Sequence, residues 1–257
     1  MTYQPDFYDA VTPASFAGDT EWYRSKARES GGPVLELGAG TGRITLALAQ
    51  DGVQVHALDA HPAMLAALRA KLSTQLPEVR DRVVVVEADM RSFELPQRFP
   101  LVIAPFRAFL HNVTEEDQLA CLGRVRAHLR AQGSFLFNIF HPSLEFMSQN
   151  AGPLTAVWRA RGVFKQPDGG YIVRSEATRY DTVQRRLESL HRYEECNADG
   201  TVVRISINNL ELAYLYPSDV ERLLRQADFA SVHIAGSFAG RPFAHDADEL
   251  VVEARVT

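Results

Sequence analysis

Residues 33–50, PVLELGAGTGRITLALAQ, place three glycines within five positions, between a short apolar run and a segment with helical spacing. Glycine permits a tight turn and lets the backbone approach a ligand without an intervening Cβ. The free N–H groups at the start of the following helix favour an anionic group. The stretch therefore predicts a strand, a ligand-binding turn and a helix.

The spacing of these glycines does not match a dinucleotide-binding loop. In the pattern G-x-G-x-x-G the third glycine would fall at position 43, where Arg43 stands. The chain instead reads E-x-G-x-G-x-G, with Glu36 two residues before the first glycine. A carboxylate at this strand end suits a positively charged ligand and would repel a pyrophosphate.

Strand and helix patterns alternate outward from this stretch as far as residue 140. Apolar runs with β-branched residues predict strands, and Met64, Leu65, Leu68 and Leu72 follow helical spacing. Such alternation predicts an α/β fold with a doubly wound parallel sheet. The predicted strands after the first are 53–59, 82–89, 101–106 and 133–140.

Two further carboxylates stand at the predicted ends of the second and third strands. Asp59 can accept hydrogen bonds from both hydroxyls of a ribose, and Asp89, followed by Met90, can accept one from an adenine amino group. Each acid alone could equally cap a turn. Ligands of parallel sheets bind at the carboxyl ends of the strands, so the three acids and the glycine turn together predict a nucleoside site.

The alternation breaks near residue 150. Four strand-like segments follow with no helix between them, and DGG (168–170) and NADG (197–200) are turn signals. The sequence thus predicts a small antiparallel β insert, after which a helix and two strands resume the main pattern. The predicted organisation is an N-terminal helical segment over the site (1–32), a core (33–150 and 214–257) and the insert (151–213).

The bulk composition argues against several classes of partner. The formal net charge is −5, which argues against nucleic acid. Two cysteines, far apart, show no metal-ligand or disulfide pattern. No basic region followed by an apolar run opens the chain, and no stretch reaches membrane-spanning length. A cytoplasmic protein without a metal or a membrane partner is expected.

At these residues the chain resembles the class I S-adenosylmethionine-dependent methyltransferases. The segments that carry the resemblance are VLELGAGTGR, ALDAHPAML, VEADMRSFEL and LVIAPFRAFLHN. It implies a Rossmann-like sheet with an antiparallel last strand, S-adenosyl-L-methionine as cofactor, and methyl transfer to a nitrogen or oxygen of a small-molecule substrate. The strand-rich insert is similar to that of sugar N-methyltransferases, where it would serve as substrate lid, as homodimer surface, or as both.

The resemblance also implies cofactor-binding positions. Glu36 and the glycine turn would surround the methionine part, Asp59 would hold the ribose, and the residues after the third and fourth strands would border the adenine and the methyl-donor end. The implied residues are Tyr8, which would close over the cofactor, and Glu36, Gly38, Ala39, Gly40, Gly42, Asp59, Ala60, Met64, Asp89, Met90, Ala104 and Phe106. The chain departs from the family in having APFR after the fourth strand, which weakens any inference of amide- or base-directed N-methylation.

Three residues are candidates for the chemistry itself. His111 and His141 follow strands whose carboxyl ends face the cofactor site, so either is a candidate general base, although packing at a strand–helix junction would also explain them. Arg107 could bind a substrate carboxylate or phosphate, or lie on the surface. Two other functions stay open: a non-catalytic cofactor-binding or scaffold protein, and, disfavoured by the acidic balance, an RNA or protein methyltransferase.

Overall fold

The computed structural model describes residues 4–12, 16, 18–150, 157–244 and 249–257. The chain forms two compact units, and each is described by itself. The core unit comprises Ala14–His141 and Leu215–Thr257, and the insert unit comprises Met1–Pro13 and Pro142–Tyr214.

The elements follow one another in the order that the alternation predicts. The helices are α1 (Pro5–Val11), α2 (Asp19–Ser30), α3 (Arg43–Gln50), α4 (Pro62–Ser73), α5 (Pro77–Arg80), a 3₁₀ helix (Ala108–His111), α6 (Glu115–His128), α7 (Leu144–Gln149) and α8 (Pro217–Gln226). The strands are β1 (Val34–Leu37), β2 (Val55–Asp59), β3 (Val83–Glu87), β4 (Phe99–Ala104), β5 (Leu129–Phe140), β6 (Arg159–Lys165), β7 (Tyr171–Asp181), β8 (Arg186–Cys196), β9 (Val202–Ala213), β10 (Ser231–Ala235) and β11 (Glu249–Arg255).

The core unit is built on one seven-stranded sheet, in the order β10-β11-β5-β4-β1-β2-β3. The strands from β1 to β5 pair in parallel, whereas β11 runs antiparallel to both β5 and β10. The predicted α/β sheet with an antiparallel last strand is therefore confirmed.

Burial explains why these runs form central strands. All four residues of β1 are buried, and Phe135, Phe137 and Ile139 of β5 are at most 1% exposed. Strands covered by helices on both faces are expected to be apolar throughout rather than alternating. Tyr23 of α2 and Ile44 of α3 pack in one buried cluster with Val34 of β1 and Leu101 and Ile103 of β4, so both helices pack on the central strands.

Several strand boundaries differ from the prediction, since β2 begins at Val55, β4 ends at Ala104 and β5 begins at Leu129. β3 ends at Glu87, so Asp89 lies two residues beyond the strand. β4 begins at Phe99 and includes Pro100, which was expected to precede the strand. The register between β4 and β5 shifts between Phe99 and Leu101, and such irregularities are the positions where a sheet tolerates a proline.

The insert unit holds a four-stranded antiparallel sheet in the order β6-β7-β8-β9, as predicted. Phe7 and Val11 of α1 form a buried cluster with Ile172 and Tyr193 of this sheet. The predicted N-terminal segment 1–32 is accordingly divided, with α1 in the insert unit and α2 in the core unit. Within the described ranges, none of the helices has the length and apolarity of a membrane span.

Candidate cofactor site

The glycine turn after β1 has a conformation that few other residues adopt. Gly38, Gly40 and Gly42 have φ angles of 70°, 57° and 88°, the left-handed region that side chains disfavour. A Cβ on Gly38 would lie 2.6 Å from the Cβ of Ala108, and one on Gly42 would lie 2.2 Å from Cδ1 of Leu68. The first glycine thus allows the turn to touch the 3₁₀ helix, and the third allows α3 to pack on α4.

The carboxyl group of Glu36 is buried at the end of β1, 2% exposed. The Thr45 hydroxyl donates a hydrogen bond of 2.5 Å to its Oε2. Burial raises the pKa of Glu36 to about 7, although the Thr45 hydrogen bond and the charge of Arg43 act in the opposite direction. The group therefore changes charge near neutral pH, and a cation beside it would favour its ionised form.

Asp59 ties the end of β2 to the glycine turn. Its Oδ2 accepts the N–H of Gly40 at 2.8 Å, and its Oδ1 accepts the N–H of His61 at 2.8 Å. Burial raises the pKa of this carboxyl group, and the two backbone hydrogen bonds oppose the shift. A carboxylate oxygen has two acceptor positions, so each oxygen keeps capacity for a ribose hydroxyl.

Asp89 has a partner that the sequence reading did not include. The Arg91 side chain donates from Nε to Oδ1 at 2.9 Å and from Nη2 to Oδ2 at 2.5 Å. These hydrogen bonds lower the pKa of Asp89, so the carboxylate stays charged. Next to it, the Met90 sulfur accepts a hydrogen bond from Asn112 Nδ2 at 3.3 Å. An adenine amino group would share Asp89 with Arg91.

Arg107, in the turn after β4, has a partner that the sequence analysis did not include. Its guanidinium donates from Nε to Oε1 of Glu249 at 2.9 Å and forms an ion pair with that buried carboxylate. The charge of Arg107 is thus balanced inside the core unit, and a contact with an anionic substrate stays a prediction. Glu249 begins β11, and sequence reasoning could not pair two residues that lie 142 positions apart.

Burial lowers the pKa of both candidate bases. His111 ends the 3₁₀ helix, and burial lowers its pKa to about 4. Burial also lowers the pKa of His141, whose ring centre lies 5.2 Å from that of Phe243 and 6.1 Å from that of Tyr216. The aromatic contacts agree with the packing role that the sequence left open for His141.

The remaining predicted residues are distributed between the units. Ala104 is buried at the end of β4, Ala60 is exposed just after β2, and Met64 is buried on α4. Tyr8 lies on α1 in the insert unit, so its closure over the cofactor stays a prediction. The core unit contains all the other predicted cofactor residues.

Two buried polar residues were missed by the sequence analysis. Asn138 is fully buried in β5, where its amide contacts the turn after β4, and Glu249 is 3% exposed. A signal was present in each case, because Asn138 interrupts the apolar run FLFNIF and Glu249 opens the apolar run ELVVEARV. A polar group inside an apolar strand needs a partner, but the sequence does not say which one.

The residues present fit the cofactor that the resemblance implies. Three carboxylates (Glu36, Asp59 and Asp89) lie at or just beyond the carboxyl ends of neighbouring parallel strands, and negative charge there suits a cationic nucleoside derivative. The turn beside them has no side chain at Gly38 or Gly40, and a Cβ on Gly38 would clash with the 3₁₀ helix. Among the described residues, no group of three or more histidine, cysteine or acidic side chains could hold a metal ion.

Comparisons with known proteins agree with this geometry. Residues 34–133 match the family model described as a methyltransferase domain. The Cypemycin N-terminal methyltransferase of a Streptomyces species is 26% identical over 95% of this chain and 92% of its own length. The glycopeptide N-methyltransferase MtfA, solved with S-adenosyl-L-methionine, is 26% identical with a TM-score of 0.57, over 91% of this chain and 87% of that one.

The fold is also that of the CcbJ methyltransferase from Streptomyces caelestis, with a TM-score of 0.78 at 24% identity over 98% of this chain and 96% of the other. Taken with the matching domain and the relatives named above, the glycine turn and its carboxylates lead to one conclusion. Residues 34–133 form a methyltransferase domain, the fold of the chain is that of the S-adenosylmethionine-dependent methyltransferases, and S-adenosylmethionine is the cofactor.

Proposed function

We propose that this enzyme methylates an amine nitrogen of a small-molecule substrate. The observation that supports nitrogen most directly is the state of the two candidate bases. A histidine whose pKa is about 4 is a weak base for removing a proton from a hydroxyl group. A neutral amine attacks through its lone pair and loses its proton only after the new bond has formed, so it needs no strong base.

The names of the relatives support the same choice of atom. One is named as an N-terminal methyltransferase and another as a glycopeptide N-methyltransferase, and each matches more than nine-tenths of this chain. The sequence analysis favours a small-molecule acceptor and leaves nitrogen or oxygen open as the methylated atom, so an amine on a small molecule is the first candidate. An amine at a peptide N terminus is the second candidate, supported by the first of these names.

When bound, S-adenosylmethionine supplies an electrophilic methyl group on a positively charged sulfur. The chain's own residues would then bind the cofactor and orient it toward the acceptor. Glu36 and the glycine turn would hold the methionine part, Asp59 the ribose, and Asp89 with Met90 the adenine edge. Orientation of acceptor and donor can account for about 7–11 kcal/mol of rate enhancement, so placement without acid–base catalysis is a sufficient mechanism.

The ion pair of Arg107 with Glu249 bears on the substrate as well. Since the guanidinium is already paired with the buried carboxylate of Glu249, an acceptor carrying a carboxylate or phosphate gains little from it. We therefore propose an acceptor without an obligatory anionic group near the methylated nitrogen.

The test is product detection. The purified protein is incubated with S-adenosylmethionine and matched pairs of acceptors that differ only in carrying an amine or a hydroxyl, and S-adenosylhomocysteine is measured. We expect product with amines, and about a tenfold or greater loss of cofactor affinity in Asp59→Ala, which lacks hydrogen bonds to the ribose. Faster turnover of the hydroxyl member, or of RNA and protein included in the panel, would contradict the proposal.

A further inference from the structure

Two consecutive residues in the turn after β4 have left-handed backbone conformations. Phe106 has a φ angle of 52° and Arg107 one of 68°, and neither is a glycine or an asparagine. Left-handed conformations are uncommon for such residues and persist only where the surroundings enforce them. We therefore expect contacts around this turn that stabilise the left-handed conformation.

One residue on the neighbouring strand β5 contacts the backbone of both. The Oδ1 of Asn138 accepts the N–H of Phe106 at 2.9 Å, and the backbone carbonyl of Asn138 accepts the N–H of Arg107 at 3.1 Å. Asn138 is fully buried, so neither amide of the turn has to compete with water for this partner. The backbone N–H groups of Phe106 and Arg107 thus both donate hydrogen bonds to Asn138.

A buried carboxylate on β11 completes the arrangement. Glu249 accepts the Nδ2–H of Asn138 at 3.1 Å through Oε2 and the Nε–H of Arg107 at 2.9 Å through Oε1. The Tyr23 hydroxyl donates to Oδ1 of Asn138 at 3.0 Å. An amide with two donors at its oxygen and a carboxylate at its nitrogen has only one satisfied orientation.

The turn after β4 also contacts the glycine turn. Ala108 follows Arg107 directly, and its Cβ lies 2.6 Å from where a Cβ of Gly38 would stand. Ala108 is 6% exposed, so it is packed and cannot move away freely. Because interiors are close-packed, a displacement of the turn would be transmitted to Gly38.

From this chain of contacts we propose that Asn138 and Glu249 are positioning residues for the cofactor site. They hold Phe106 and Arg107 in the left-handed conformation, which fixes Ala108 against Gly38 and keeps the glycine turn in the shape that binds the cofactor. The inference rests on the proposed role of the glycine turn in binding the methionine part. Neither residue touches the reacting atoms.

The test compares Asn138→Ala with Tyr23→Phe by amide hydrogen exchange without cofactor and by calorimetry with S-adenosylhomocysteine. Both variants lose a buried hydrogen bond, but only the first loses the acceptor of the Phe106 N–H. We expect Asn138→Ala to speed exchange at Phe106 by about tenfold or more and to weaken S-adenosylhomocysteine binding by about fivefold or more, since one hydrogen bond to a buried group is lost. Tyr23→Phe should change both by less than about twofold, because the Phe106 N–H keeps its acceptor and Glu249 still fixes the orientation of the Asn138 amide.

Glu249→Gln provides a second variant if Asn138→Ala does not fold. It keeps the shape but removes the charge that pairs with Arg107 and that accepts from Nδ2 of Asn138. The Asn138 amide is then less firmly oriented, so we expect faster exchange at Phe106, whose N–H it accepts, with weaker binding. A folded variant with a faster-exchanging turn and unchanged affinity would overturn the positioning role, as would unchanged exchange. If the unmodified protein does not bind S-adenosylhomocysteine, the proposed function of the glycine turn fails instead, and the exchange data still report whether Asn138 holds the turn.

Discussion

Glu36 shows at the scale of one residue how burial shapes the site. Its carboxyl group has a pKa of about 7 in the folded chain, against 4.5 for the free side chain, because burial disfavours the charged form. Between these values the folded state binds more protons than the unfolded state. The free energy of unfolding of the cofactor-free protein therefore falls as the pH rises from about 4.5 to about 7.

Replacing Glu36 by glutamine should remove this dependence. A glutamine does not titrate, so the difference in unfolding free energy between Glu36→Gln and the unmodified protein should grow in favour of the variant by about 2 kcal/mol between pH 5 and pH 8. Urea unfolding at four pH values in that interval measures it. His111 titrates in both proteins, so its contribution cancels in the difference between their unfolding free energies. If the two unfolding free energies change in parallel with pH, Glu36 is not the source of the pH dependence.

His111 carries the opposite dependence and a distinct prediction for catalysis. Burial lowers its pKa to about 4, so its contribution to stability is lost as the pH falls from about 6.5 to about 4. For the same reason a role as base would place a transition in the rate near pH 4, not near 6.5. We expect His111→Gln and His141→Gln to keep the unmodified pH profile between pH 6 and pH 8, measured with a fixed amine acceptor. A transition near pH 6.5 that disappears in either variant would assign that histidine as the base.

At the scale of elements, the strands and turns that follow from short stretches of sequence could be predicted. Alternating apolar runs and turn signals gave the sheet of the core unit and the four strands of the insert, because periodicity and turn residues act over short stretches. The pair formed by Asn138 and Glu249 joins residues 111 positions apart, and the left-handed turn at Phe106 depends on it. Local sequence does not encode such long-range partners. The cofactor-binding roles of the acids rest on their positions at strand ends and on the family resemblance, and they stay predictions.

The contact between the glycine turn and the 3₁₀ helix can be tested with two matched glycines. Gly38 and Gly31 both have a φ angle of 70°, but a Cβ at Gly38 would meet Ala108 at 2.6 Å while one at Gly31 meets nothing within 4 Å. Both alanine variants share the backbone strain of about 1 kcal/mol, so their difference isolates the steric clash.

We expect Gly38→Ala to be less stable than Gly31→Ala by about 1–3 kcal/mol, the usual range for overpacking, and to bind S-adenosylhomocysteine about tenfold more weakly or worse, since 1.4 kcal/mol of distortion is tenfold in affinity. Thermal unfolding and calorimetry give the two quantities. Equal stability and equal affinity of the two variants would mean that the glycine turn accommodates the added Cβ without loss of free energy.

At the scale of the whole molecule, the main difference from the sequence reading concerns the first helix. A helical pattern tells which face is apolar but not which unit that face will cover, and α1 packs on the insert sheet through Phe7 and Val11. The predicted roles of the insert as substrate lid, homodimer surface or both stay predictions. Sedimentation of the purified protein would test the homodimer directly.

Phe7 allows a test of whether the two units unfold separately. Its side chain is 1% exposed, its ring stacks on Tyr193 with 5.2 Å between centroids, and the guanidinium carbon of Arg204 lies 4.2 Å from its ring centre. Phe7→Ala should cost about 3–5 kcal/mol of stability because a buried aromatic ring is lost. The matched control is Asp6→Ala, which removes an exposed ion pair to Arg204 and should cost about 0–1 kcal/mol.

All of these contacts of Phe7 lie inside the insert unit. We therefore expect amide exchange in Phe7→Ala to accelerate in β7 and β8 by about 100-fold, the equivalent of about 3 kcal/mol, while β1 and β4 of the core unit exchange as in the unmodified protein. Amide hydrogen exchange measured on peptides by mass spectrometry gives the exchange rates of both units in one sample. An equal acceleration in both sheets would show a single cooperative unit, in which loss of the first helix would also open the glycine turn and its cofactor site.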